Sequence, residues 1–145
     1  MSMTARCLVC LIGLAPVPAF AQEVEVVRDL DAAGRVTLTR DELQLLLPGA
    51  TMGRTSPRGY AQFWTNDPDG SFIISSDSRD KRKRVATAAG KWHISDDGRY
   101  CVLIEWNTMP AEEWCRYILK AGDAFYATRS DKTGTEKVYK LSITR

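Results

Sequence analysis

Cys101 and Cys115 are the residues whose type and spacing bear most directly on chemistry. Thiol redox, metal ligation and a structural disulfide are the three roles open to such a pair. A redox-active pair usually sits as C-x-x-C at a helix start, where nearby charge lowers a thiol pKa. Here thirteen residues intervene, and neither cysteine looks like a helix start. A zinc site takes about four ligands from Cys, His or carboxylate, yet the chain has one histidine, His93. The pair therefore reads as a structural disulfide. In the chain-entropy model a loop of about 15 residues is worth roughly 3 kcal/mol, less any native strain.

The remaining candidates for catalysis are weak. His93 lies between Trp92 and Ile94 on an expected strand, and alternation places it opposite them, toward solvent. Serine hydrolysis needs an activated serine and an orienting acid beside such a base. No G-x-S-x-G is present, and Ser75-Ser76 sits on an ordinary strand. Carboxylates pair at Asp67/Asp69, Asp96/Asp97 and Glu112/Glu113. The first two pairs fall where turns favour aspartate for its own backbone bonds. Asn66-Asp67-Pro68-Asp69-Gly70 matches only part of the calcium loop D-x-[DN]-x-[DN]-G-x5-E. The sequence assigns no catalytic residue, metal or cofactor.

Two binding candidates stand beside these. Arg79, Lys81, Arg82, Lys83 and Arg84 form a basic run with Asp77 and Asp80 mixed in. Such a run suits anionic lipid headgroups or an acidic envelope protein, and equally a solvated loop. Trp64, Trp92, Trp106 and Trp114 are candidates to line a pocket for a small apolar ligand, since small barrels can hold one molecule. Aromatic side chains are equally ordinary core material.

The elements that must position these residues begin after a processing signal. Arg6, the apolar run from Cys7 to Ala15 and Ala19-Phe20-Ala21 make a signal peptide over 1–21, with cleavage expected after Ala21. The run is too short for the roughly 20 apolar residues of a membrane span, and none is expected in the mature chain. Cleavage takes 21 of the 145 residues and one positive charge, leaving 124 residues with 19 basic against 18 acidic. A charge this close to neutral is not the footprint of a nucleic-acid binder. The expected compartment is the bacterial periplasm, whose oxidising conditions suit the disulfide.

Residues 22–37 show no sustained period and are expected to be a loosely structured leader, with room for one short strand. Residues 38–145 form a single β-rich domain. Thr39-Arg40-Asp41-Glu42 matches a capping box and opens a short helix of about eight residues, stopped by Pro48-Gly49. Strands are expected over 58–66, 71–76, 85–95, 99–106, 114–120 and 124–129. A last strand alternates Tyr139, Leu141 and Ile143 with polar residues. Gly90 marks a bend or bulge. Tyr100, Val102, Ile104 and Trp106 share one face of their strand. Connections this short exclude parallel crossovers. The fold class is mainly β, an antiparallel meander of about seven strands forming a small barrel or half-barrel, with one short N-terminal helix. Neighbouring strands 99–106 and 114–120 carry the disulfide.

Gly49-Ala50-Thr51, Gly90-Lys91-Trp92, Asp97-Gly98-Arg99-Tyr100-Cys101 and Glu113-Trp114-Cys115-Arg116-Tyr117 give the chain a family resemblance. It resembles small exported bacterial envelope proteins catalogued only as a domain of unknown function. The resemblance implies a periplasmic β-rich domain with a disulfide, and brings no activity or substrate. The functional expectation is a non-enzymatic binding or envelope-accessory domain. An enzyme joining carboxylates to His93 and a purely structural interaction protein are the alternatives.

Overall fold

The computed structural model describes residues 23–77 and 86–145. The capping box forms as its residues predict. Thr39 Oγ1 accepts from the Glu42 amide at 3.2 Å, and the Glu42 carboxylate accepts from the Thr39 amide at 2.7 Å. The Thr39 amide first, and the Thr39 hydroxyl donating to Glu42 Oε2 at 3.0 Å, hold the Glu42 carboxyl below the usual carboxylate range. The box opens helix α1 (Arg40–Leu46), which is too short to persist without docking. Leu43 and Leu47 supply the docking face and are fully buried, whereas Leu45 faces out.

The described residues hold nine strands, the first at the end of the leader: β1 (Val36–Thr37), β2 (Thr51–Thr55), β3 (Ala61–Thr65), β4 (Ser71–Ser76), β5 (Ala86–Ile94), β6 (Tyr100–Glu105), β7 (Glu112–Ala121), β8 (Ala124–Thr128) and β9 (Val138–Thr144). From β2 to β9 each strand pairs antiparallel with the next, and β9 returns to pair with β2. The result is a closed, eight-stranded, up-and-down barrel, with β1 added to the free side of β7. The small barrel expected from the short turns is present. Two strands exceed the expected seven: β1 and β2. The strand expected over 58–66 starts only at Ala61, because Ser56–Tyr60 is spent on a turn in which the Ser56 amide donates to the Tyr60 carbonyl at 2.8 Å.

Two strands change partner along their length. On β7, Arg116 faces Tyr100 of β6, whereas Tyr117 faces Thr128 of β8. On β9, Leu141 faces Phe125 of β8, whereas Ser142 faces Gly53 of β2. These are corners at which the wall turns over on itself, so the barrel is closed without a free edge along β2–β9.

Alternation sends Met52, Trp64, Phe72, Ile74, Ala88, Tyr100, Val102, Ile104, Ile118, Ala127 and Leu141 into one main core, together with Leu43 and Leu47. The face expected on β6 is the one buried: Tyr100, Val102 and Ile104 are each at most 2% exposed. Gly90 is no bulge. It holds continuous register with Phe72 and Ile104, and the Phe72 ring lies where its side chain would be.

The loosely structured leader is corrected. Val27–Ala33 forms a 3-10 helix, with Asp29 accepting from the Val26 and Glu25 amides at 3.0 and 3.1 Å. Val27 and Leu30 pack on Leu119, Ala121, Tyr126 and Val138, a second core on the outside of the wall. The sequence concealed this because only Val24, Val27 and Leu30 of the leader carry the contact, too few to set a period.

Candidate functional site

An up-and-down barrel has two ends, and this one treats them differently. At one end α1 is the lid. Asn66 of the β3–β4 turn donates from Nδ2 to the Leu47 carbonyl at 3.2 Å. Gly98 of the β5–β6 turn abuts Arg40, and Arg145, past β9, donates to the Leu45 carbonyl at 2.9 Å. Beneath the lid the Tyr100 hydroxyl accepts from Trp64 Nε1 at 3.0 Å and donates to Asn66 Oδ1 at 2.7 Å. Burial pushes the Tyr100 phenol well above its usual range, against the opposing bonds from Trp64 and Asn66 and the charge of Arg54.

Among the described residues the other end has no such cover, and its lining is polar. Interior positions that are apolar mid-barrel become Arg54 on β2, Gln62 on β3, Ser76 on β4 and Glu112 on β7. Arg54 Nη2 meets Glu112 Oε1 at 2.7 Å, and its Nε donates to Gln62 Oε1 at 2.7 Å. Its guanidinium also stands 5.9 Å from the Trp64 ring centroid and 5.6 Å from that of Trp114, within cation–π range. Trp114 Nε1 donates to Glu112 Oε1 at 3.1 Å, and Trp106 Nε1 reaches Glu112 Oε2 at 3.5 Å. A buried cation requires such partners, and Arg54 has them on every side.

Beside this cluster, between the two partner-changing strands, lies a cavity of about 400 Å³. Arg54, Glu112, Trp114, Arg116, Arg129 and Tyr139 are among the residues that line it. That volume is within the range of small-molecule sites. A more open groove of about 690 Å³ runs where β9 passes from β8 to β2. Apart from Arg54, its charged groups are Asp123 and Lys140, so the mouth cavity is the richer in chemistry.

The four tryptophans proposed as one pocket do not line a common cavity: Trp64, Trp92 and Trp114 each contact Tyr100, and of the four only Trp114 lines the mouth cavity. Trp64 is a core side chain, 3% exposed. Trp92 belongs to the lidded end, where its Nε1 donates to the Asp67 carbonyl at 2.9 Å. Trp106 and Trp114 meet at the mouth through Glu112. Mid-barrel space is filled by Phe72, Tyr100, Ile74 and Ile104.

No family model, curated protein or solved structure matches this chain. Its site is therefore read from its own residues. Cys101 and Cys115 form the expected disulfide between β6 and β7, facing each other in register on the outer side of the wall. His93 is exposed on that same outer face, register partner of Cys101. Glu112 is on the inner face, so the two do not converge. Among the described residues no group of three or more Cys, His, Asp or Glu is arranged to hold a metal, and no helix is long and apolar enough to cross a membrane. Arg79, Lys81, Arg82, Lys83 and Arg84, and the signal segment, lie outside the described residues. Sequence reasoning missed Arg54, Glu112, Arg116 and Arg129 as a set. The one available signal was charge at inward positions of strands whose other inward residues are apolar.

Proposed function

We propose that the chain is a non-enzymatic binding domain of the bacterial envelope, carrying a small ligand in the cavity at the open mouth of the barrel. The observation that carries this reading is the contrast between the ends among the described residues: α1 lids one, and charged and aromatic groups surround about 400 Å³ at the other. Arg54 and Glu112 are matched to each other there, at a position where an apolar pair would serve stability as well. Export to the periplasm after cleavage following Ala21 is part of the proposal. The disulfide accords with an oxidising compartment, and the resemblance to small exported envelope proteins points the same way.

A second reading is a purely structural interaction protein, favoured by the filled middle of the barrel. An anionic lipid or an envelope protein would then be the partner. Native mass spectrometry of the protein purified from its source cells, before and after denaturation, separates the two. The binding reading expects a small molecule that leaves on unfolding. A bare mass from several independent preparations would favour the structural reading instead.

A further inference from the structure

We propose that Arg116 and Arg129 form a binding site for a doubly charged phosphate-type oxyanion, a phosphomonoester above all. The proposal rests on the reading of the mouth cavity as a ligand site and names the class of ligand.

Register places the two arginines together. Tyr117 faces Thr128 across β7 and β8, so the preceding residue on β7 and the following residue after β8 are the next neighbours along that seam. Both side chains line the cavity of about 400 Å³. Among the described residues neither guanidinium has a carboxylate within 4.0 Å, although Glu136 acts on Arg116 from farther away. The ion pairs of 4.0 Å or less are Arg35–Asp31, Arg40–Asp96, Arg54–Glu112 and Arg99–Asp97. Arg116 spends one bond, from Nη1 to the carbonyl of Cys115 at 3.0 Å. Arg129 makes no side-chain hydrogen bond among the described residues. A guanidinium offers five N–H donors, so most of the ten remain for a ligand.

The electrostatics agree with the geometry. Burial first, and the charge of Arg129 second, hold the Arg116 guanidinium below its usual pKa, against Tyr139 and Glu136. Arginine stays protonated regardless, so two like charges stand side by side, offset in part by Glu136 and by solvent at the exposed Arg129, and a bound anion would relieve them further. Arg54, the third cation, is already matched by Glu112. The cavity thus holds an excess of two positive charges. A carboxylate would neutralise one, whereas a phosphomonoester carries about −1.5 to −2 near neutral pH. Guanidinium forks match phosphate oxygens in a bidentate manner. Arg116 is also backed by Trp114, 5.8 Å from the ring centroid, which limits its freedom. The space exceeds what a bare phosphate fills, leaving room for the organic group of an ester.

The test is calorimetric titration of the intact protein and of its Arg116→Gln and Arg129→Gln variants. Titrants are phenyl phosphate, inorganic phosphate, acetate, and vesicles with and without phosphatidic acid. Phenyl phosphate should bind, acetate should be at least tenfold weaker, and each variant should lose tenfold or more. Binding to phosphatidic-acid vesicles that either substitution abolishes also supports the site and names a lipid headgroup as its source. Should Arg116→Gln fail to fold, the exposed Arg129→Gln gives the same reading. Acetate binding as tightly as phenyl phosphate, or phosphate affinity unchanged in a folded variant, overturns the proposal. No phosphate binding by a protein that carries a neutral small molecule from its cells overturns the anion assignment and leaves the ligand site standing. No phosphate binding and no carried molecule overturns both.

Discussion

Arg54 and Glu112 meet at 2.7 Å across the interior of the barrel. Their strands, β2 and β7, are not neighbours, since β9 and β8 stand between them on the nearer side. The pair is a strut from wall to wall, and its side chains keep only 12% and 34% of their exposure. It sets polar groups at the mouth where mid-barrel residues fill the space with rings and branched chains.

Removing one end of this strut should be worse than removing both. Glu112→Ala leaves Arg54 without its counter-charge and two indole N–H groups without their acceptor. We expect a loss of about 1–3 kcal/mol, below the 3–5 kcal/mol of a fully buried pair because water reaches Glu112. Arg54→Met with Glu112→Gln should recover most of it. Urea unfolding of the three proteins checks the order, and a double variant less stable than Glu112→Ala would contradict it.

Tyr100 makes an alkaline prediction. Its phenol has a raised native pKa, chiefly from burial, so the fold favours the neutral form. The resulting stability is fully present below the unfolded value of about 10, and is lost as pH rises from there toward the higher native value. Tyr100→Phe should cost about 1–2 kcal/mol at neutral pH for the hydroxyl's bonds. The gap between the two proteins should close above about pH 10. Stability measured against pH for both tests this, and a gap that widens with alkali would be the wrong sign.

Gly90 is a packing glycine. A Cβ there would sit 2.1 Å from two Phe72 ring atoms, and Phe72 is 2% exposed with no room to retreat. Gly90→Ala should cost roughly 1–3 kcal/mol by overpacking. Combined with Phe72→Leu, which vacates the space, it should cost less than the two single losses summed. A double-mutant cycle reads the coupling directly.

Cys101 and Cys115 close a loop with a sequence separation of 14. Paired replacement by alanine should lower stability by about 2–3 kcal/mol while leaving the far-ultraviolet circular dichroism unchanged, because both strands keep their other partners. Loss of the β signal at room temperature would show the bridge to be needed for folding itself.

Local chemistry made much of the fold legible. The capping box at Thr39, the Asp67–Gly70 and Ser95–Gly98 turns, the two-faced strand β6 and the disulfide each depend on residues close in sequence or on simple alternation. β2 was hidden for a physical reason. Thr51-Met52-Gly53-Arg54-Thr55 has one large apolar residue, and its glycine serves to admit the Phe63 ring, 3.0 Å from where a Cβ would be. It becomes a strand by pairing with β3 and β9, not by propensity. The mouth was hidden for another. Arg54, Glu112, Arg116 and Arg129 are scattered on β2 and β7 and after β8, and only the closing of β9 on β2 brings them around one cavity. The tryptophans do not line one common cavity because alternation gives a side chain's face but not its height along the barrel axis.

The most direct test of the mouth as the ligand site is the indole N–H spectrum of the protein in two-dimensional nitrogen–proton NMR. Trp106 and Trp114 report on the mouth and Trp92 on the lidded end. On adding the small-molecule extract of the source cells, the Trp106 and Trp114 signals should shift while that of Trp92 stays in place. Shifts confined to Trp92, or a spectrum that does not change at all, would contradict the account.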